Sequence, residues 1–121
     1  MARAQAAAIA ELEACVDGDL ALPSGRDLDG VARRVIEHDG RWPAYGHGLG
    51  HGIGLQTHEL PSLAATALDT SLPTPTVFSV EPGIYLEGEM GVRIEDLVLL
   101  DADARRVERL TTFPREPLVV S

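Results

Sequence analysis

Apolar residues change their spacing along the chain, and each change predicts a different backbone. Residues 2–16 are dense in Ala, with Ile9, Leu12 and Val16 at helical intervals, which predicts a first helix. Asp17-Gly18 ends it. Pro23-Ser24-Gly25 reads as a turn, with Ser24 as N-cap and Asp27 three residues on, in the manner of a capping box. A second helix over about 25–39 sets Leu28, Val31, Ala32, Val35 and Ile36 on one face, and Gly40 closes it. Residues 41–76 keep no period and carry Pro43, Pro61, Pro73 and Pro75, so regular structure there should be short. From residue 77 the pattern alternates. It predicts strands over about 77–85, 91–101 and 105–110, with a turn near Asp101–Ala104. In the 91–101 run the parity sets Arg93 and Glu95 on one face and Val92, Ile94 and Val98 on the other. The tail from Phe113 to Ser121 has two prolines and little pattern. Helices followed by strands indicate an α+β fold, and 121 residues suit one domain.

Composition narrows the function. The net charge of −9 leaves no basic stripe to neutralise phosphates, which argues against a nucleic-acid partner. All the basic residues are Arg, and aromatics make up only 4%, so the core must rest on Ala, Leu, Val and Ile. Cys15 is the only cysteine, which excludes an intramolecular disulfide and points to the cytoplasm; in its apolar helical setting it reads as a small buried hydrophobe. Charged and amide residues interrupt the Ala-rich start, so neither a signal peptide nor a membrane span is expected.

The chemistry gathers in the turn-rich middle, a Gly/His segment over 45–61. Every even position from 46 to 54 is Gly. An extended backbone there would set His47, Leu49, His51, Ile53 and Leu55 on one face, leaving the other bare for close approach by a chain segment or ligand. His58 and Glu59 follow. Glu81 ends an apolar run, where a carboxylate is expensive unless paired or metal-bound. Glu95 lies in another; its plainer reading is a structural pair of Glu95 or Asp96 with Arg93. Imidazole plus carboxylates drawn from separate strands form a divalent-metal ligand set that suits manganese, cobalt, iron or zinc.

Gly46–Leu55 with His58-Glu59, then Ser79-Val80-Glu81-Pro82-Gly83-Ile84-Tyr85, then Gly91-Val92-Arg93-Ile94-Glu95-Asp96 resemble, in order and spacing, the pita-bread metallopeptidases: methionine aminopeptidase, aminopeptidase P, prolidase and creatinase. His47 four residues before His51, and Arg93 before Glu95, resemble the proline-specific branch. The resemblance implies the C-terminal half of a pita-bread fold, with two helices followed by an antiparallel sheet. It implies a metal-dependent exopeptidase that cleaves before a proline in second position. His51, Glu81 and Glu95 would be metal ligands, Glu95 bridging two cations. Glu81 would also take a proton from the attacking water, His47 and His58 would contact substrate, His58 would stabilise charge on the scissile carbonyl, and Arg93 would orient the ligands. Manganese is the first expectation.

The family's other half supplies two further aspartate ligands. Glu11, Glu13, Asp17, Asp19, Asp27, Asp29, Glu37 and Asp39 match no such motif, and none is assigned as a ligand. At most one metal is therefore expected here, and three accounts stand open. The chain is a fragment or truncated frame of a peptidase; it completes its site with the missing N-terminal half or a partner copy; or it is a silent peptide-binding module. Creatinase-like hydrolysis of a small C–N bond is a further alternative. A half-domain would expose apolar surface, which predicts a homo-oligomer or an association-prone chain.

Overall fold

The computed structural model describes residues 1–115. Helix α1 spans Ala2–Asp17 and α2 spans Gly25–His38. The capping box is present: the Ser24 side chain accepts from the Asp27 N–H at 3.1 Å, and the Asp27 carboxylate accepts from the Ser24 N–H at 2.9 Å. Seven strands follow: β1 (Gly50–Gly52), β2 (Glu59–Leu63), β3 (Thr76–Val80), β4 (Gly83–Leu86), β5 (Met90–Arg93), β6 (Asp96–Asp101) and β7 (Arg106–Arg109). Five make an antiparallel sheet in the order β2-β1-β3-β6-β7, and β4 with β5 forms a separate hairpin. The two helices pack on each other and on this sheet. Ala4, Ala8, Leu12, Leu28, Ala32 and Ile36 meet Leu63, Phe78, Val80, Val98 and Leu100 in one core. Cys15 is buried, and burial first, then the Glu11 charge, push its thiol pKa up. No helix among the described residues is long and apolar enough to cross a membrane.

Two strands expected to be continuous are broken. The run over 77–85 divides into β3 and β4 at Glu81-Pro82, and the run over 91–101 divides into β5 and β6 at Ile94-Glu95. The reason is topological: β3 pairs with β6 and β4 with β5, so the chain leaves one sheet at 81–82 and re-enters it at 94–95. Proline has no N–H to give a ladder, which suits Pro82 to the first crossing. Ile94 N–H donates to the Pro82 carbonyl at 3.3 Å, tying the two crossings together. Strand parity therefore does not carry through from Arg93 to Val98.

The glycine-rich segment is not one strand either. The backbone bends at His47 and Leu49 before β1 begins. Leu49 is buried in the core while Leu55 is fully exposed, so the five side chains do not share a face. The expectation of close approach does hold at two glycines. A Cβ on Gly50 would lie 1.8 Å from the Ser79 carbonyl oxygen, and one on Gly52 would lie 2.1 Å from that of Leu60.

Candidate active site

The sheet change at 81–82 leaves Glu81 just past the end of β3, facing the segment that carries the histidines. Its backbone N–H donates to the Leu49 carbonyl at 2.7 Å. The Glu81 carboxylate is nearly buried and each oxygen has partners. Oε1 lies 3.0 Å from His51 Nε2 and accepts from Ser79 Oγ at 2.9 Å, while Oε2 accepts from Arg93 Nη1 at 2.8 Å. Ser79 Oγ also accepts from the His51 N–H at 3.0 Å, so one hydroxyl spaces the two residues. Arg93 reaches Glu81 from β5 and donates from Nε to the Tyr85 hydroxyl at 2.7 Å. Burial pulls the Arg93 pKa down, but the Tyr85 hydrogen bond and the Glu81 charge outweigh it and hold the guanidinium above its ordinary value.

The histidines carry a chemical signature of their own. His51 Nδ1 stands 3.0 Å from the Gly52 carbonyl, and a carbonyl only accepts, so Nδ1 bears the proton. Nε2 faces Glu81 Oε1. An imidazole nitrogen and a carboxylate oxygen meeting as two acceptors are favourable only with positive charge between them, a proton or a metal cation. This donor pair fits a cation. His47 repeats the pattern: Nδ1 donates to the Gly48 carbonyl at 2.7 Å, and Nε2 is buried with no hydrogen-bond partner among the described residues. A buried bare acceptor is costly, and a ligand donor would relieve it. Tyr45 meets the His47 ring edge-on, with centroids 5.2 Å apart. The exposed His58 ring lies against His51 at 4.3 Å.

His47, His51, His58, Glu59, Glu81 and Arg93 line one open cavity of about 520 Å³. Glu59 caps the loop before it, accepting from the Gln56 N–H at 2.6 Å. Glu95 is placed otherwise: it is exposed in the break between β5 and β6 and is not part of the cavity wall. Among the described residues no three His, Cys, Asp or Glu side chains stand close enough to hold a metal ion. The structure thus unites His51 with Glu81 and leaves Glu95 aside. The plainer pairing of Arg93 with Glu95 or Asp96 is replaced by its bonds to Glu81 and Tyr85. Asp96 instead turns to the tail, 2.5 Å from Arg115 Nη2 and 2.6 Å from Thr111 Oγ1.

The sequence assigns no role to Ser79 and Tyr85, which stand in the motif around Glu81, and sets Asp29 aside as a ligand. Ser79 had one legible signal, its place two residues before Glu81 in a strand. Asp29, on α2, is completely buried and accepts from the Leu49 N–H at 3.0 Å, a contact no local pattern announces.

Comparison with known proteins gives this geometry a setting. The sequence model of metallopeptidase family M24 matches residues 1–102. The chain is 44% identical over 91 residues to a Xaa-Pro dipeptidase of Lactobacillus delbrueckii subsp. lactis, covering 75% of this chain and 24% of that one. It superimposes on the crystal structure of X-Pro aminopeptidase from Thermotoga maritima MSB8 with a TM-score of 0.79 and 43% identity, covering 98% of this chain and 31% of that one. X-prolyl aminopeptidase from Caenorhabditis elegans, described as a cytosolic enzyme with a di-nuclear active site, aligns with a TM-score of 0.57 and 30% identity over 65% of this chain and 13% of that one. The chain spans about a quarter of the length of the curated relatives it matches.

Proposed function

The chain belongs to metallopeptidase family M24, with the pita-bread architecture, and from that membership we propose that its cavity serves metal-dependent hydrolysis of the peptide bond before a proline in second position. The observation that carries this reading is the Glu81 carboxylate, set between His51, Ser79 and Arg93 in the cavity that His47, with its unpartnered Nε2, also lines. The 43–44% identity to an X-Pro aminopeptidase and a Xaa-Pro dipeptidase supports the proline preference.

In this reading His51 and Glu81 would hold a divalent cation, manganese first and cobalt, zinc or iron as alternatives, and Glu95 is the third ligand that the family resemblance implies. Such a cation supplies a lowered pKa for water and polarisation of a carbonyl. Glu81 accepts the proton of the attacking water, and its fixed position supplies the proximity that general-base catalysis needs. Arg93 holds the Glu81 carboxylate in place through its hydrogen bond to Oε2. His58, exposed on the cavity rim, stabilises charge developing on the scissile carbonyl. His47 offers its Nε2 lone pair to a donor of the peptide. The lone buried Cys15 and a relative described as cytosolic support a cytoplasmic setting. The two further aspartates expected from the family's other half have no counterpart assigned here, so the reading gives this chain one cation and places turnover in the completed fold.

One observation favours a second reading, a peptide-binding module without turnover: Glu95 stands outside the cavity that His51 and Glu81 share. Manganese titration followed by an Ala-Pro-peptide cleavage assay separates the two. The first reading expects one cation per chain and an unfolding free energy that rises with metal, by about 2.7 kcal/mol at a hundredfold excess over Kd. His51→Ala should abolish both effects. Metal content unchanged by that substitution would remove His51 from its proposed role, and tight peptide binding with no turnover in the completed fold would favour the module.

A further inference from the structure

Asp29 and Arg33 stand one turn apart on α2, behind the cavity wall and outside the motifs that mark the family resemblance. A fully buried carboxylate persists only when paired and hydrogen-bonded, and Asp29 is both. One oxygen is paired with Arg33 Nε; the other accepts from the Leu49 N–H at 3.0 Å. Arg33 Nη2 donates to the His47 carbonyl at 2.7 Å. These are the backbone groups on either side of Gly48, where the bends at His47 and Leu49 remove the chain from any sheet ladder. Buried backbone groups without a ladder need partners from elsewhere, and α2 provides them.

The same segment leads directly to the site. The Leu49 carbonyl accepts the Glu81 N–H at 2.7 Å, so the backbone that Asp29 holds also seats Glu81. Tyr45 completes the cradle, its ring 4.5 Å from the Arg33 guanidinium carbon and edge-on to His47. Burial, and after it the Asp29 charge, push the Tyr45 phenol above its usual range, which keeps that ring neutral against the imidazole. We propose that Asp29 and Arg33 are positioning residues for this site: by holding the backbone on both sides of Gly48 they set the direction of the His47 imidazole and the seat of Glu81. The proposal rests on the reading of His47 and Glu81 as site residues, yet its geometric content can be tested without catalysis.

The test is two-bond nitrogen–proton correlation spectroscopy of the imidazoles in the full chain, with His47 assigned from a His47→Gln spectrum. The wild-type chain should show His47 as the single tautomer protonated on Nδ1. Arg33→Met, which keeps the aliphatic stem and removes the donor to the His47 carbonyl, should lose that pattern to averaged tautomers. Arg33→Lys should restore it in part. Ile36→Ala, on the same helix and in the same core but off the network, should lower stability and leave His47 unchanged. A folded Arg33→Met chain with the wild-type His47 pattern would overturn the proposal; if that variant does not fold, an unaltered pattern in Asp29→Asn, which removes the charge that holds Arg33, would do so. Adding Ala-Pro to the wild-type chain tests the functional reading apart from this, because His47 signals unmoved by saturating peptide would sink peptide binding and leave the positioning result standing.

Discussion

Ser79 shows how much a single uncharged side chain can organise. Its hydroxyl donates to Glu81 and accepts from the His51 N–H, so one oxygen fixes the distance between the two groups that would share a cation. Ser79→Ala leaves a buried N–H and a carboxylate oxygen each short of a partner, at a cost of about 1–3 kcal/mol. The expected result is a lower urea midpoint at unchanged m-value, together with weaker manganese binding. Loss of stability with full metal affinity would show that Ser79 supports the strand and not the site. Gly50→Ala should be more severe, since the new Cβ would collide with the Ser79 backbone. At this scale legibility followed chemistry. Histidines among glycines and a glutamate in an apolar strand are conspicuous because their burial is expensive. Serine in a strand is not, and Asp29 was hidden because the partner that explains it, Leu49, lies 20 residues away.

Helix α2 is the element whose sequence and structure agree most closely, because its start is decided by residues three apart. Ser24→Ala removes the cap and should cost about 0.5–2 kcal/mol, read as a shift in urea midpoint. The Ser24 hydroxyl and backbone N–H, in that order, hold the Asp27 carboxyl below its ordinary pKa. A carboxyl whose folded pKa is depressed adds stability above its unfolded value, about 3.9, and loses it as pH falls through the folded value. The stability gap between the wild-type chain and Asp27→Asn should therefore be open at pH 7 and close below about pH 3.9. Asp27 is exposed, so the gap is a modest one. An equal gap at both pH values would assign the cap to geometry without charge. The strands were less legible: alternation identified them but ran past the breaks at Glu81-Pro82 and Ile94-Glu95, because a strand that changes sheets keeps its period.

At the scale of the molecule, the β4–β5 hairpin stands apart from the main sheet with Tyr85, Met90 and Val92 exposed. A two-stranded ribbon is marginal alone, and exposed apolar surface of this kind favours contact with further chain. Light scattering on the purified chain should show mass that grows with concentration despite the charge of −9; a single monomeric species throughout would refute it. The sequence by itself determined the two helices and the β character of the second half, and it marked His47, His51, His58, Glu81 and Arg93 as candidates, which line one cavity. Those signals are local: a spacing, a cap, a residue type that is costly where it stands. Tertiary structure alone decided that Glu81 is shared by His51, Ser79 and Arg93, that Glu95 stays outside their cavity, and that Asp29 and Arg33 reach the backbone around Gly48. Each of these joins segments brought together by the sheet order and by the chain's passage between two sheets, and no period along the sequence records which distant segments meet.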